Sequence, residues 1–283
     1  MVDLLVTGVY GQLGSALERL ARQRGLAVAG HDLDTLDICD PRAVAELVKG
    51  LGPRTLVNCA AFTAVDGCET DEAAATVVNG TAVGHLAAAC NAVGALLIHL
   101  STDYVFAGDG TRPYTEADPV APASAYGRSK LEGERLARTA DRHLIVRTAW
   151  LYGHGGRNFV EAIRDQIADG ATSLRVVADQ VGSPTSCHDL AEALLDLVDA
   201  GTEGIVHAVN SGSTSWHGFA VAITRLLGAE ITVHAVSTAD YPRPARRPAY
   251  SVLDTSLLAA AIGRHLPPWQ EALARYLGVP CES

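Results

Sequence analysis

The sequence predicts an α/β protein with a Rossmann-like, doubly wound parallel sheet and a smaller C-terminal lobe. Two observations predict this class. Short apolar runs alternate with amphipathic stretches over the first two-thirds of the 283 residues, an order typical of a parallel sheet with helices on both faces. The apolar runs are continuous rather than alternating, as expected for strands that are buried on both sides.

The predicted elements follow from these patterns in chain order. The strands of the first part are Val2–Thr7, Leu26–His31, Thr55–Ala60, Ala95–Ser101 and Leu144–Ala149. The helices between them are Gln12–Arg24, Pro41–Leu51, Asp71–Val93 and Ala125–Thr139. Pro41 directly follows Asp40, which suits a helix that begins with an aspartate cap and a proline in its first turn.

After Trp150 the character of the sequence changes. Gly153–Arg157 and Asp179–Thr185 are rich in glycine and polar residues, so we predict loops there. The predicted elements of this part are the helices Arg164–Ala168 and Leu190–Val198 and the strands Leu174–Val177 and Ile205–Asn210. We expect the strands near 174–178 and 205–210 to join the main sheet, and the rest of 151–283 to form the smaller lobe.

The composition excludes several classes of protein. The 22 Lys and Arg residues against 32 Asp and Glu give a net charge of −10, which argues against binding to nucleic acid. No apolar run approaches the roughly 20 residues that span a bilayer, and the N-terminus lacks the basic region and cleavage site of a signal peptide. The six cysteines are scattered, as in a reduced compartment. We therefore expect a cytoplasmic protein without a membrane partner and, because no ligand spacing is present, without a metal.

A glycine motif stands at the turn between the first predicted strand and the first predicted helix. Gly8, Gly11 and Gly14 allow a tight turn that can approach a pyrophosphate, and the helix N-terminus adds unpaired N–H groups. The alternative is a glycine-rich turn without a ligand. Asp32 ends the second predicted strand and suits the ribose hydroxyls of NAD better than the 2′-phosphate of NADP. A cation such as Arg54 would reverse that preference, and the acidic residues here are also typical of solvated loops.

Three further side chains suggest acid–base chemistry. Tyr126 and Lys130 are four residues apart on a predicted helix and share one face. A nearby ammonium lowers the pKa of a phenol from its usual ~10, which makes Tyr126 a candidate proton donor. Thr102 follows a predicted strand at the carboxyl edge of the sheet, where open α/β sheets bind ligands. The alternatives are an ordinary pair on a helix surface and a threonine that caps local backbone.

These motifs, in this order, make the sequence resemble the extended short-chain dehydrogenase/reductase superfamily and, within it, the dTDP-4-dehydrorhamnose reductase family. The resemblance covers nearly the whole chain and is carried by the segments Gly11–Gly14, Asn58–Asp66, Ser101–Phe106, Tyr126–Glu134, Arg147–Trp150, Asn158–Phe159, Asp179–Thr185, Ser215–Trp216 and Pro244–Pro248. It implies that residues 1–150 bind NADPH or NADH and that most of 151–283 binds a dTDP-sugar. The implied reaction is reduction of a 4-keto group, and the chain would be a monomer or a homodimer.

The resemblance also implies roles for individual residues. Tyr126 would donate the proton, Lys130 would support it, and Thr102 would tune the phenol and hold the sugar carbonyl. The cofactor-binding residues would be Gly8, Gly11, Gln12, Leu13, Gly14, Asp32, Asp37, Ile38, Ala61, Phe62, Thr63, Tyr126 and Lys130. The substrate-binding residues would be Thr102, Asp103, Trp150, Asn158, Arg246 and Arg247. A core aromatic is the alternative for Trp150, and a solvated loop charge for either arginine.

Two alternatives to the implied reaction stay open. One is a 4-ketoreductase that acts on another dTDP-deoxysugar in secondary metabolism, and the other is a non-enzymatic regulatory subunit with the same fold. Some family members bind Mg²⁺ through glutamates, one of them early in the first helix. Here that stretch reads Ser15-Ala16-Leu17 and the nearest acid is Glu18, so we do not expect Mg²⁺.

Overall fold

A six-stranded parallel sheet forms the centre of the structure, a computed structural model that describes residues 2–280. The strands are β1 (Leu4–Thr7), β2 (Val28–His31), β3 (Thr55–Asn58), β4 (Leu96–Thr102), β5 (His143–Thr148), β6 (Leu151–Tyr152), β7 (Ser173–Val177), β8 (Val181–Gly182), β9 (Thr185–Ser186), β10 (Gly204–His207), β11 (Thr214–Ser215) and β12 (Thr232–Val236). The central sheet has the order β10-β5-β4-β3-β1-β2. The chain reverses its direction across the sheet between β1 and β3, and ligands bind at such a switch point.

Helices cover both faces of this sheet. They are α1 (Gln12–Gln23), α2 (Pro41–Leu51), α3 (Val65–Thr70), α4 (Glu72–Thr76), α5 (Ala82–Val93), α6 (Ala125–Ala137), α7 (Phe159–Ala168), α8 (Cys187–Asp199), α9 (Trp216–Leu226), α10 (Ser256–Ile262) and α11 (Trp269–Leu277). Apolar side chains of α1, α8 and α10 pack on one face, and those of α2, α5 and α6 pack on the other. The predicted fold class is therefore confirmed.

Local sequence explains where several of these helices begin. Asp40 accepts hydrogen bonds from the backbone N–H groups of Arg42 and Ala43, and Pro41 occupies the first turn of α2, as predicted. Ser124 caps α6 by accepting from the N–H of Gly127. The single helix predicted at Asp71–Val93 is interrupted by a π-helical segment, Val77–Thr81, that joins α4 to α5.

The smaller lobe has its own sheet and its own core. β7 pairs in parallel with β12, and α7, α9 and α11 bury apolar side chains against this pair. The expectation that the strand near 174–178 joins the main sheet is wrong. β10 takes the edge position beside β5, while Leu174 and Val176 of β7 are buried in the core of the lobe. The strand predicted near 205–210 does join the main sheet, as β10.

One helical stretch has the length and composition of a membrane span, which the sequence analysis does not expect. Glu72–Val93 covers 22 residues, and an 18-residue window within it has a mean hydropathy of 1.3. Half of its apolar window is buried inside the protein, where α5 packs against α2 and α6. A buried helix in the core of a globular domain has the same composition, because it is apolar on most sides.

Candidate active site

A cavity of about 780 Å³ opens at the carboxyl ends of β1, β3, β4 and β5, a volume in the usual range for small-molecule sites. It is lined by the turn between β1 and α1, by the loop after β2, and by the segment after β3. The ends of β4 and β5 and the first turns of α6 complete the wall. The predicted residues found in the lining are Gly8, Gly11, Gln12, Leu13, Gly14, Asp32, Asp37, Ile38, Ala61, Phe62, Thr63, Thr102, Asp103, Tyr126, Lys130 and Trp150.

The glycine turn, residues 8–14, can exist only without side chains at two of its positions. Gly8 has φ +70, and a Cβ there would lie 2.6 Å from the backbone nitrogen of Ala60. A Cβ on Gly14 would lie 2.1 Å from the carbonyl oxygen of Gly8. The turn therefore packs directly on the backbone that follows β3, and on itself. Gly11 caps α1 without a side-chain hydrogen bond, so the first N–H groups of the helix remain available for an anion such as a pyrophosphate.

Asp32 holds the far side of the same turn. Its Oδ2 accepts a hydrogen bond from the backbone N–H of Tyr10 at 2.9 Å, and its Oδ1 accepts one from Leu33 at 2.9 Å. Arg54 pairs with Asp3 at 3.6 Å and does not line the cavity. This arrangement leaves an acidic residue, without Arg54, where an adenosine ribose is expected.

Thr102, Tyr126 and Lys130 meet in this cavity beside the glycine turn. Thr102 and Lys130 are buried, while Tyr126 is half-buried. The hydroxyl of Thr102 donates to Asp103 Oδ1 at 3.0 Å and accepts from the backbone N–H of Tyr104 at 3.2 Å. Tyr104 in turn packs edge-to-face on the ring of Tyr126, with centroids 5.6 Å apart. The three candidate catalytic groups thus come together from β4 and α6.

The electrostatics of Tyr126 differ from the sequence-based expectation. Burial raises the pKa of the Tyr126 phenol, and Asp103 raises it further, while the hydroxyl of Thr102 partly opposes the shift. Lys130 instead lies 3.4 Å from His99. Burial lowers the pKa of Lys130 to about 8, against the opposing influence of Glu134 and Cys59. At neutral pH the phenol therefore carries its proton, which is the state that a proton donor needs.

Two buried polar atoms in the lining have no hydrogen-bond partner among residues 2–280. They are Oδ2 of Asp103 and Oγ1 of Thr148. Burial raises the pKa of the Asp103 carboxyl to about 6, although the hydroxyls of Ser251 and Thr102 partly oppose the shift. Because buried polar groups are nearly always paired, unpaired atoms that face a cavity indicate the position of a ligand.

Two stacked indoles form one wall of the cavity. Trp150 stacks on Trp216 with ring centroids 3.5 Å apart and planes 6° apart. Trp150 has φ +47, a conformation that no other non-glycine residue adopts in the described part of the chain, and such strain is typical of functional sites. A Cβ on Gly182 would lie 2.6 Å from the Trp150 ring. Trp216 and Thr148 lie in segments that carry the resemblance, but the sequence analysis assigns neither of them a role in the site.

Three predicted substrate-binding residues lie outside the lining of the cavity. Asn158 donates from Nδ2 to Gln12 Oε1 at 2.9 Å and caps α7, so it ties the smaller lobe to the glycine turn. Arg247 forms an ion pair with Asp66 of α3, and Arg246 is exposed. The Arg247 guanidinium, which we assigned to a diphosphate, is therefore paired with the carboxylate of Asp66. Contacts of Asn158, Arg246 and Arg247 with the substrate stay predictions.

One group of side chains outside the cavity lining brings three potential metal ligands together. His188, Asp189 and Glu192 each offer a ligand atom, and these atoms lie within 4.8 Å of one another. Asp189 is already engaged, because it accepts a hydrogen bond from Asn210 at 2.7 Å and pairs with Arg275. The early helix position Glu18 pairs with Arg22 at 2.8 Å.

Comparison with known proteins agrees with this geometry. A family model described as the RmlD substrate binding domain matches residues 2–279. A dTDP-4-dehydrorhamnose reductase from Streptomyces griseus is 47% identical, over 98% of this chain and 93% of that protein. A probable dTDP-4,6-dihydroxy-2-methyloxan-3-one 4-ketoreductase from Streptomyces antibioticus is 44% identical, over 95% and 92%. The crystal structure of dTDP-4-dehydrorhamnose reductase from Bacillus anthracis in complex with NADP superposes with a TM-score of 0.95 at 35% identity, covering 98% of both chains.

Proposed function

The chain belongs to the RmlD substrate binding domain family, and from this membership we propose that it reduces the 4-keto group of a dTDP-4-dehydro-6-deoxyhexose with NADPH or NADH. The substrate that the relatives support best is dTDP-4-dehydro-L-rhamnose, which gives dTDP-L-rhamnose. One observation carries the proposal: Thr102, Tyr126 and Lys130 line a single cavity together with the glycine turn.

The cavity fits a dinucleotide at the glycine turn. Gly8 and Gly14 keep the backbone free of side chains, and the uncapped N-terminus of α1 offers N–H groups to a pyrophosphate. Asp32 and Asp37 would face the adenosine ribose from the loop after β2. When bound, the nicotinamide supplies a hydride to the sugar carbonyl carbon, and this chemistry belongs to the cofactor.

The chain's own groups would handle the oxygen of that carbonyl. Thr102 would donate a hydrogen bond to the oxygen, and Tyr126 would give up its phenolic proton as the oxygen becomes an alkoxide. The phenol is protonated beforehand, because burial and Asp103 raise its pKa. Lys130, as an ammonium, would stabilise the phenolate that remains.

The rest of the cavity wall suits a sugar. Trp150 and Trp216 present an apolar surface on which a deoxyhexose ring can pack. Oδ2 of Asp103 and Oγ1 of Thr148 are buried without partners among residues 2–280, and they would bind sugar hydroxyls. The contacts of Asn158, Arg246 and Arg247 with the nucleotide part belong to the same proposal.

A second candidate is a 4-ketoreductase for another dTDP-deoxysugar. The 44% identity with the Streptomyces antibioticus 4-ketoreductase favours it. A panel of dTDP-4-keto sugars, with the C4 configuration of each product assigned by NMR, separates the two substrates. A regulatory subunit without activity is the third possibility, and tight cofactor binding without turnover of any panel member would establish it. A cytoplasmic location and a monomeric or homodimeric state are also part of this proposal.

The experiment that tests the function is Tyr126→Phe, followed by the loss of absorbance of the reduced nicotinamide. We expect turnover to fall about 10²- to 10⁴-fold, because the proton donor is removed, while cofactor affinity is retained. Tyr114→Phe is the matched control, because Tyr114 stacks on Phe106 outside the cavity lining. Full turnover in Tyr126→Phe would refute the assignment.

A further inference from the structure

A chain of buried polar side chains runs under the cavity from β1 to α6. Thr7, Asn58 and His99 are register neighbours on β1, β3 and β4. Thr7 donates from Oγ1 to Asn58 Oδ1 at 2.8 Å, Asn58 Nδ2 lies 3.2 Å from His99 Nδ1, and His99 Nε2 lies 3.4 Å from Lys130 Nζ. None of the four side chains is more than 3% exposed, so these contacts are not shared with bulk water.

The direction of the hydrogen bonds along this polar chain is fixed at Asn58. The backbone N–H of Ala60 donates to Asn58 Oδ1 at 3.2 Å, and a backbone N–H can only donate. The atom that faces His99 is therefore the amide nitrogen, which donates to Nδ1 of the imidazole. A neutral His99 then carries its own proton on Nε2. Burial and the neighbouring Lys130 both lower the pKa of His99, so the ring is neutral.

The proton on His99 Nε2 points at Lys130. An ammonium has three donors and no lone pair, so a charged Lys130 places two donors against each other. A neutral amine has a lone pair and accepts the hydrogen bond. From this geometry we propose that Asn58 and His99 are positioning residues that favour the neutral form of Lys130. The Lys130 ammonium then gives up its proton readily and returns it to Tyr126 in each turnover. The role of Tyr126 in this statement rests on the proposed function.

The proton balance of this step is simple. Tyr126 gives one proton to the alkoxide and becomes a phenolate. The Lys130 ammonium gives one proton to that phenolate and becomes an amine, which accepts the hydrogen bond from His99 Nε2. Solvent then returns one proton to the amine, so the reduction consumes one proton from water in all.

Other groups that face Lys130 act in the opposite direction. Glu134, one turn further along α6, and the thiol of Cys59, at the end of β3, both favour the ammonium. Glu134 is already paired with Arg147 of β5 at 2.8 Å. Asp103 faces Tyr126 rather than Lys130. Burial, the larger influence, lowers the pKa of Lys130 to about 8, and the donor on His99 acts in the same direction as burial.

The sequence allows a direct measurement, because it holds only two lysines, Lys49 and Lys130. Protein labelled with ¹³C at lysine Cε gives two NMR signals, and exposed Lys49 on α2 serves as the internal reference. In the wild type we expect the Lys130 signal to titrate near pH 8, since its pKa is lowered from 10.5 to about 8. A Lys130 signal that titrates near pH 10.5 would overturn the inference.

Asn58→Asp reverses the direction of the hydrogen bonds from residue 58 through His99 to Lys130. The new carboxylate accepts from His99 Nδ1–H, so Nε2 becomes an acceptor and Lys130 can donate to it as an ammonium. We expect the titration of Lys130 to rise by about one pH unit or more. His99→Asn is a second, independent variant: its Oδ1 can accept from Asn58 Nδ2, the donor beside Nζ is gone, and the titration should also rise. An unchanged titration in either folded variant overturns the inference.

Two controls separate this effect from charge and from destabilisation. Adding Asn58→Asp to His99→Phe keeps the new charge but leaves no imidazole to transmit it, so the double variant should titrate close to His99→Phe alone; a further rise as large as that of Asn58→Asp in the wild type would show a charge effect alone. His207→Asn removes another buried histidine, 3.5 Å from Arg147 and outside the cavity lining. It should lower thermal stability and leave the Lys130 titration in place, and a shifted titration there would overturn the inference.

The kinetic readout connects the inference to the reaction. The alkaline limb of kcat against pH should move with the Lys130 titration in Asn58→Asp, while KM for the sugar nucleotide stays the same. If the limb stays while the NMR titration moves, the role in returning a proton to Tyr126 is wrong. If the wild type turns over no nucleotide sugar, the proposed function fails, yet the NMR titration still decides the control of Lys130 by His99.

Discussion

Two pairs of buried polar residues lie next to each other on β4 and β5, and they differ in whether every polar side chain has a hydrogen-bond partner. Ser101 lies opposite Arg147, and Thr102 lies opposite Thr148 in the register of the two strands. Glu134 accepts hydrogen bonds from Ser101 at 2.6 Å and from Arg147 at 2.8 Å through both of its oxygens. One residue further along each strand, the hydroxyl of Thr148 has no partner among residues 2–280.

The presence or absence of a hydrogen-bond partner distinguishes the buried polar side chains that stabilise this sheet from those that are available to a ligand. Successive side chains of a strand point to opposite faces, so the side chains of Ser101 and Arg147 turn toward Glu134 of α6, whereas those of Thr102 and Thr148 turn to the other face. Ser101, Thr102 and Thr148 belong to the cavity lining, and Arg147 does not. Five buried side-chain atoms lack a partner within the described chain, and two of them, Oδ2 of Asp103 and Oγ1 of Thr148, line the cavity. A buried group that is fully paired stabilises the fold, whereas one that is left unpaired at a cavity lowers stability until a ligand pairs with it.

The largest effect on stability should come from the paired side. Arg147→Met leaves the carboxylate of Glu134 buried, 0% exposed, without its ion-pair partner, and we expect a loss of about 3–5 kcal/mol in the free energy of unfolding. Urea denaturation measures it. Arg147→Met with Glu134→Leu should recover much of this loss, because no unpaired charge remains. Arg135→Met is the control: its ion pair with Glu132 is largely exposed, so less than about 1 kcal/mol should be lost.

At the cavity, removing a charge should have the opposite effect on the free energy of unfolding, and Asp103 is the residue that tests this. The raised pKa, about 6 against 3.8, means that the folded state binds this proton more tightly than the unfolded state. The stability that comes from this proton is complete below pH 3.8 and is lost as the pH rises through about 6. At pH 8 the ionised carboxylate therefore costs up to about 3 kcal/mol, from two pH units at about 1.36 kcal/mol each.

Asp103→Asn removes that cost. We expect the variant to be more stable than the wild type at pH 8 and to lose most of this advantage at pH 4, with lower turnover at both. Unfolding free energies at the two pH values, measured in the same buffer series, check the sign. A variant that is equally destabilised at both would mean that the carboxylate is well satisfied in the folded protein, and the comparison of the two sides would fail.

The sequence could predict those parts of the site that local pattern encodes. The glycine turn, the end of β4 and the Tyr126–Lys130 spacing each lie within one segment, so motif and helical periodicity were enough to place them. The stack of Trp150 on Trp216 joins segments 66 residues apart. No local pattern encodes such a contact, and the same holds for the pairing of β7 with β12.

The electrostatics were harder to predict than the positions. Sequence spacing put Lys130 beside Tyr126, but burial decides the pKa of both groups, and Asp103 rather than Lys130 is the charge that acts on the phenol. For Arg247 the sequence leaves a contact with a diphosphate and a solvated loop charge open, whereas the fold pairs it with Asp66, 181 residues away in the chain. Charge interactions depend on distance and burial in the fold, neither of which a linear sequence states.

The test with the smallest expected effect compares the paired hydroxyl of Ser101 with the unpaired hydroxyl of Thr148. Ser101→Ala removes a donor from the buried Glu134, which should cost about 1–2 kcal/mol of unfolding free energy and leave KM for the sugar nucleotide unchanged. Thr148→Val keeps the volume and removes a hydroxyl that has no partner in the described chain, so stability should stay the same or rise by up to about 1 kcal/mol. Its effect should appear instead as a roughly 5- to 30-fold loss in kcat/KM, the equivalent of one hydrogen bond to a substrate. If Thr148→Val loses as much stability as Ser101→Ala and binds the sugar normally, Thr148 belongs with the paired, structural side, and an unpaired buried atom in this cavity does not identify a substrate contact.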